Sequence, residues 1–425
     1  MKRIKISLFF NFILVFTFKL DANVISNNGI NYQFVNLYDN DTGKHLGQFV
    51  EVIEGEYSGL YNISIPSSIV HDGIEYKVIG IGDGAFAQCT NLTSINIPND
   101  VIRIGEYAFY GCENLSNVCI PDSTVKIASG AFEDCYGLST IIIPNCVEIG
   151  RQAFSGCENL YSVIFANPEH LKTIGYRAFY QTPWCENLPN GIVYVGNVLY
   201  MCNGNISPNE EVVVREGIEI IREEAFAYCS ELSSITLPSS LRDIQFEAFR
   251  GCENLTYVEI PEGVVTIGDR CFWWCQDLSS IVIPQSIERI GSDVFYGCKN
   301  LKDVYCYARR RVEIHPEAFS ADLKSTTLHV PINSFLIYHF SNKWNKFGRI
   351  VPIYSKWDIL YISLLVFGII LIIGLMIIFN KSKNKHMRTI ILFLTLIGLI
   401  ACSGNSRGET IGIDDSGITS IMREI

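Results

Sequence analysis

From Ile81 onward the apolar positions recur in one frame. One copy reads Ile81-Gly82-Asp83-Gly84-Ala85-Phe86-Ala87-Gln88-Cys89-Thr90-Asn91-Leu92-Thr93-Ser94-Ile95-Asn96-Ile97-Pro98, and the next keeps Ile104-Gly105, Ala108-Phe109, Cys112, Leu115, Val118, Ile120 and Pro121. Phenylalanine returns at Phe86, Phe109, Phe132, Phe154 and Phe179, then at Phe226, Phe249, Phe272, Phe295 and Phe319. Cysteine returns at Cys89, Cys112, Cys135 and Cys157, then at Cys229, Cys252, Cys275 and Cys298, spaced 23 residues apart and once 22. A fixed period of this length marks a solenoid, in which no single repeat buries its own apolar face.

Each part of the frame predicts an element. Alternation puts Ile95 and Ile97 on one face of a short strand and Asn96 on the other. Stacked copies would pair these strands in parallel, about 4.8 Å apart. Pro98 ends the strand because it cannot donate to the ladder. The Ala-Phe-x-x-Cys step is too short for a free-standing helix; it predicts a single helical or 3₁₀ turn that drops Phe and Cys inward, with the stacked rings as the second wall of the core. Glycine after isoleucine predicts a turn too tight for a side chain. The expected fold is thus a β-rich α/β superhelix of parallel short strands and single helical turns.

Three stretches leave the frame. Thr182-Pro183-Trp184 through Asn190-Gly191, followed by the alternating Ile192-Val193-Tyr194-Val195-Gly196-Asn197-Val198-Leu199-Tyr200, reads as an insert at about 182–205 with a strand pair and a Gly-Asn turn, and Thr182 stands in the Cys column. The ends read as caps, which cover core and strand edges. Ile63-Ser64-Ile65-Pro66 and Ile74 to Val78 predict opening strands in an N-terminal cap over 23–79. The array spans 80–327, and Leu328 to Val330, a helical stretch around Phe335 to Trp344 and Ile350 to Ile353 form a C-terminal cap over 328–354.

Charge and the termini place the chain. Net charge is −11 with only 18% charged residues, which excludes a nucleic-acid partner, since phosphate requires a basic face. Lys2, Arg3 and Lys5 followed by the apolar Ile6 to Phe18 and Ala22 predict a signal peptide over 1–22, an uncleaved anchor being the alternative. Trp357 to Phe379 carries one charge, Asp358 at its edge, and is long enough to cross roughly 30 Å of hydrocarbon as a C-terminal transmembrane helix. Lys381, Lys383, Lys385 and Arg388 follow it, which predicts repeats outside and a short tail over 380–425 inside. Within that tail, 387–402 resembles a bacterial lipoprotein signal ending in Leu399-Ile400-Ala401-Cys402, so Cys402 is a candidate lipidation site. A neighbouring reading frame fused at Met387, or a second membrane arm, are the other readings.

The unit Ile-Gly-x-x-Ala-Phe-x-x-Cys-x-x-Leu-x-x-Ile-x-Ile-Pro resembles the BspA-like, or Treponema-type, leucine-rich repeats. Ile65-Pro66-Ser67, Thr182-Pro183-Trp184 with Gly191 to Tyr194, and Val330-Pro331 with Trp344 and Phe347 resemble the same family's bacterial members, over roughly residues 57 to 353. The resemblance implies a secreted or surface-presented protein, some relatives adhering to host matrix proteins or to other cells.

Candidate chemistry is sparse. Eight of 15 cysteines sit in the repeat column, where regularity argues for packed free thiols; disulfides between successive rungs are the competing arrangement. No C-x-x-C occurs, and Cys271 and Cys275 have no nearby histidine, which argues against zinc. The seven histidines are scattered, and no G-x-S-x-G, P-loop or EF-hand loop occurs, so neither catalytic, metal nor cofactor residues are expected. N-x-[ST] triplets at Asn91, Asn114 and Asn254 arise from the repeat. A ligand face is expected on the outward strand positions. One column holds Ser94, Asn117, Thr140, Ser162, Ser234, Tyr257, Ser280 and Asp303. The next holds Asn96, Cys119, Ile142, Ile164, Thr236, Glu259, Val282 and Tyr305. The candidate contacts are Ser94, Asn96, Thr236, Tyr257, Glu259, Asp303 and Tyr305, with the tyrosines as anchors. The expected function is non-enzymatic protein or cell-surface binding, with a host matrix protein as one candidate partner and a structural envelope role without a specific ligand as the alternative.

Overall fold

The computed structural model describes residues 24–38, 43–204, 206–207 and 211–308, then with short gaps 312–355, and single positions 359, 363, 366 and 370. The signal segment 1–22, the span Trp357–Phe379 apart from those single positions, and the tail with Cys402 lie outside the described residues; so does Phe319. Among the described residues no helix is long and apolar enough to cross a membrane. The chain divides into two units, one of residues 1–330 with 336–351, the other of 331–335 with 352–425. The described regular element lying wholly in the smaller unit is the 3₁₀ turn Ile332–Ser334.

The larger unit opens with antiparallel strands Ile25–Asn27, Ile30–Tyr38 and His45–Val52. His45–Val52 then pairs in parallel with Ile74–Ile81, and Asn62–Ser64 pairs in parallel with Ser94–Asn96. The two opening strands therefore enter different sheets. One wall carries the L-x-x-I-x-I strands, as expected, divided among three sheets. The other is built from two-residue strands at the Ile-Gly step: Arg103–Ile104, Lys126–Ile127, Glu148–Ile149 and Thr173–Ile174, all parallel. That step was expected to be a turn alone. It forms a ladder because each isoleucine points into the core while the following N–H reaches the previous rung, as in Gly105 N–H to Ile81 O at 2.8 Å. The glycine serves close packing: a Cβ on Gly105 would sit 2.6 Å from the backbone nitrogen of Asp83 in the rung before it.

The third wall corrects the expected helical turn. In the first rung Ala85, Ala87 and Cys89 donate to carbonyls three residues back, whereas Gly84, Phe86 and Gln88 donate to Glu106, Ala108 and Tyr110 of the next rung at 2.6–2.8 Å. Alternate N–H groups thus leave the rung, which a helix does not allow. Positive φ at Gly84 and Gln88, and at the same places in later rungs, flattens the chain into this ladder. The phenylalanines stack behind it as expected. Successive rings lie 5.0–5.8 Å apart and within 11° of parallel through Phe86–Phe179 and again through Phe226–Phe295. A spacing above the strand separation implies an offset stack, the favoured arrangement for parallel rings.

The insert joins this architecture. Pro183–Glu186 makes one helical turn whose N-cap, Thr182, accepts from Cys185 N–H and donates to Phe179 O at 2.7 Å. Gly191–Val195 and Val198–Asn203 form the expected hairpin, and Val198–Asn203 pairs in parallel with Ile220–Ile221. Trp184 lies 4.8 Å from Phe179 and 5.9 Å from Tyr200, so aromatic packing crosses the interruption. The two-residue ladder does not cross it: Thr173–Ile174 ends one sheet and Gly191–Val195 begins another. At the far end Tyr338 donates to Ala308 O at 3.1 Å and packs on Trp344 at 4.8 Å.

Candidate binding face

The L-x-x-I-x-I strands expose every second side chain. Ile95, Ile141, Ile235, Val258 and Ile281 are buried, while Asn96, Cys119, Thr236 and Glu259 between them are exposed. The pleat decides this, not the residue type: Ile142 and Ile164 occupy outward positions and are 54% and 47% exposed.

Two separate sheets carry the candidate residues. Ser94 and Asn96 belong to a three-stranded sheet of Asn62–Ser64, Ser94–Asn96 and Asn117–Cys119. There Ser94 Oγ donates to Asn62 Oδ1 at 2.5 Å and Asn96 Nδ2 to Ser64 Oγ at 3.4 Å. The other five lie on the sheet that starts at Glu211–Val213 and continues through Ser234–Thr236, Tyr257–Glu259, Ser280–Ile283, Asp303–Cys306 and Thr327–Pro331. Parallel register lines up Glu211, Ser234, Tyr257, Ser280 and Asp303 in one column.

A recess of 310 Å³ opens on that sheet, lined by Glu211, Ser234, Thr236, Tyr257 and Glu259 with the apolar Ile235, Leu237 and Pro261. Thr236 Oγ1 donates to Glu211 Oε1 at 3.0 Å, and Tyr257 OH donates to Glu259 Oε2 at 3.1 Å. Partial burial first, and the neighbouring Glu259 carboxylate second, raise the Tyr257 pKa, so the phenol stays a donor at neutral pH. The recess holds two carboxylates and no cation in its lining, and it pairs them with an aromatic ring 42% exposed. Further along the face His329 Nε2 lies 2.7 Å from Asp303 Oδ1, and its ring stacks on Tyr305 at 4.3 Å.

Glu211 and His329 were absent from the sequence-derived set. Glu211 precedes Ser234 by one 23-residue period, but its rung lacks the Phe and Cys landmarks. His329 was assigned to the cap, although its strand continues the sheet. Of the N-x-[ST] asparagines, Asn91 and Asn114 use their amides internally, donating at 2.8 Å to Ser58 O and Thr90 O.

Buried column thiols bond from rung to rung. Cys112, Cys135 and Cys157 each donate from Sγ to the phenylalanine carbonyl of the rung before, at 3.1 Å. Burial pushes the Cys112 and Cys157 thiols up to about 12, which keeps them protonated.

Residues 79–207 and 219–345 match the family model of the BspA type leucine rich repeat region, in 6 copies. Among solved structures, a leucine-rich repeat protein from Bacteroides ovatus is similar at 23% identity over 72% of this chain and 99% of its own, with a TM-score of 0.30. A leucine rich cell surface protein from Faecalibacterium prausnitzii is 22% identical over 67% of this chain and 94% of its own, TM-score 0.32. The pneumococcal vaccine antigen PcpA is 19% identical over 78% of this chain and 99% of its own, TM-score 0.34. Among curated proteins none matches the chain. Repeat frame, stacked rungs and a family match over more than half of its length agree: the chain belongs to the BspA-type leucine-rich repeat family.

Proposed function

We propose that this chain is a non-enzymatic recognition protein held outside the cytoplasm, binding another protein or a cell-surface ligand through the strand face around Thr236, Tyr257 and Glu259. The observation that carries the reading is the recess. It sets an exposed tyrosine, a residue type common among interface anchors, beside polar groups and an apolar floor on paired strands. Family membership supports a protein-binding role, since repeat arrays present extended surfaces. The apolar length and flanking charges of Trp357–Phe379 support anchoring through a membrane helix, with the repeats outside and the tail inside. Adhesion to a host matrix protein or to other cells is the finer form of the proposal.

The test is binding of the labelled full chain in detergent or nanodiscs to a panel of matrix proteins and to host cells. Saturable binding to one panel member, competed by unlabelled chain, is expected. Signal that rises linearly with concentration on every member would favour a structural envelope role without a specific ligand.

A further inference from the structure

The carboxylates of this chain differ in what neutralises them. In the turn wall Glu247 accepts from Arg250 at 2.6 Å and from Arg270 at 3.4 Å. Elsewhere Lys126 meets Glu148 at 2.7 Å and Lys77 meets Asp100 at 3.0 Å. In the recess, among the described residues, Glu211 and Glu259 each accept only from a neutral hydroxyl, that of Thr236 or of Tyr257. Arg215, four residues after Glu211, is committed elsewhere: it donates to Gly196 O at 2.7 Å and lies 4.4 Å from the Tyr194 ring. From Glu211–Val213 through Thr327–Pro331 the strands of this sheet contain no lysine or arginine, and the next outward carboxylate, Asp303, is met by His329. The same recess has apolar walls, the half-buried Leu237 and Pro261, beside the exposed Tyr257 ring.

We propose that the recess receives a lysine or arginine side chain of a partner protein, so that the ligand carries a basic patch; this rests on the binding role proposed above and names its chemistry. Three features of the recess match such a side chain. Its cationic head supplies the charge that Glu211 and Glu259 lack from their own chain. Its methylene stem packs on Leu237 and Pro261, since long cationic side chains bury the stem and keep the head in polar surroundings. The Tyr257 ring offers a π face to the cation, while its hydroxyl is held by Glu259. An acidic side chain would instead add a third like charge, and an apolar one would leave both carboxylates desolvated without a partner.

The experiment uses the full chain in nanodiscs of zwitterionic lipid and a fluorescein-labelled oligolysine peptide, read by anisotropy. The same peptide with every ε-amine acetylated keeps the stems and removes the charge. Saturable binding of oligolysine is expected, with none for the acetylated form. The Glu211→Gln/Glu259→Gln double variant should bind about tenfold more weakly, the size of two partly screened ion pairs. The Glu158→Gln/Glu253→Gln variant removes the same charge from exposed positions outside the recess and should bind as the wild type does. Equal loss in both double variants would assign binding to the net charge of −11 and overturn the proposal, as would equal binding of the acetylated peptide or wild-type affinity in Glu211→Gln/Glu259→Gln. The two readings fail separately. A panel ligand lost in Tyr257→Ala but held fully by Glu211→Gln/Glu259→Gln would keep the face and reject the cation; oligolysine bound in the recess with no saturable panel member would keep the cation and reject matrix adhesion.

Discussion

Arg222 donates from Nε to the carbonyl of Ile174 at 2.7 Å, across 48 residues of chain. In the regular rungs that carbonyl belongs to the next backbone N–H: Ile104 accepts from Ala128, Ile127 from Gly150 and Ile149 from Gly175. At Ile174 the ladder stops, and a guanidinium takes the missing donor's place, with Nη2 serving Gly175 O as well, also at 2.7 Å. Arg222 follows Ile221 where most rungs carry glycine, and the interruption leaves room for its side chain. The cation lies 4.9 Å from the Tyr200 ring, so the insert packs it from the other side.

Replacing Arg222 by methionine leaves two buried carbonyls without donors, at about 1–3 kcal/mol each. The urea midpoint of the full chain should fall by about 2–6 kcal/mol equivalent, and Arg222→Lys, with fewer placed donors, should fall between. A methionine variant as stable as the wild type would show that water satisfies the break.

Two glycines separate packing from backbone strain. Gly105→Ala drives a Cβ to 2.6 Å from the neighbouring rung and should cost about 1–3 kcal/mol through displaced backbone. Gly84→Ala meets nothing within 4 Å but keeps φ at +64°, so about 1–2 kcal/mol is expected from the left-handed conformation alone. Hydrogen exchange distinguishes them: Gly105→Ala should loosen the amides of rungs on both sides, Gly84→Ala only its own.

Stability should fall above pH 9. Burial raises the thiols of Cys112, Cys146, Cys157 and Cys298 from 9.0 to about 12. Between those values the unfolded chain has released protons that the folded chain keeps, so unfolding is favoured as pH rises, by about 1.4 kcal/mol per pH unit per thiol. The contribution is complete below pH 9 and lost as pH approaches 12. Denaturant midpoints in reductant from pH 7 to 11 check the slope, which should flatten in Cys157→Ala; an unchanged slope in that variant would contradict the assignment to buried thiols.

What the sequence reveals depends on how long a signal lasts. The Phe and Cys columns and the strand pleat recur over many rungs, so the core face and outward Tyr257, Glu259 and Tyr305 are legible without coordinates. The second ladder is not, because a two-residue strand such as Lys126–Ile127 shows no alternation. The turn wall was expected to be helical because its spacing suits one; the alternating φ values that make it a ladder have no compositional signature, occurring at Tyr107, Gln152 and Arg270 as well as at glycine. Arg222 is invisible for a different reason: its partner carbonyls lie in another rung, beyond an insert that breaks the period. Glu211 escaped because its rung lacks landmarks, though one period separates it from Ser234.

The central claim is that binding resides on the strand face and not on the turn face. Tyr257 on the former and Tyr228 on the latter are both exposed, at 42% and 65%. The direct measurement is the affinity of the full chain, its Tyr257→Ala variant and its Tyr228→Ala variant for whichever matrix protein or cell surface the wild type binds saturably. Tyr257→Ala is predicted to weaken binding by about tenfold or more, equivalent to about 1.4 kcal/mol, with Tyr228→Ala at wild-type affinity. Wild-type affinity in Tyr257→Ala, with the loss appearing in Tyr228→Ala, would contradict the account.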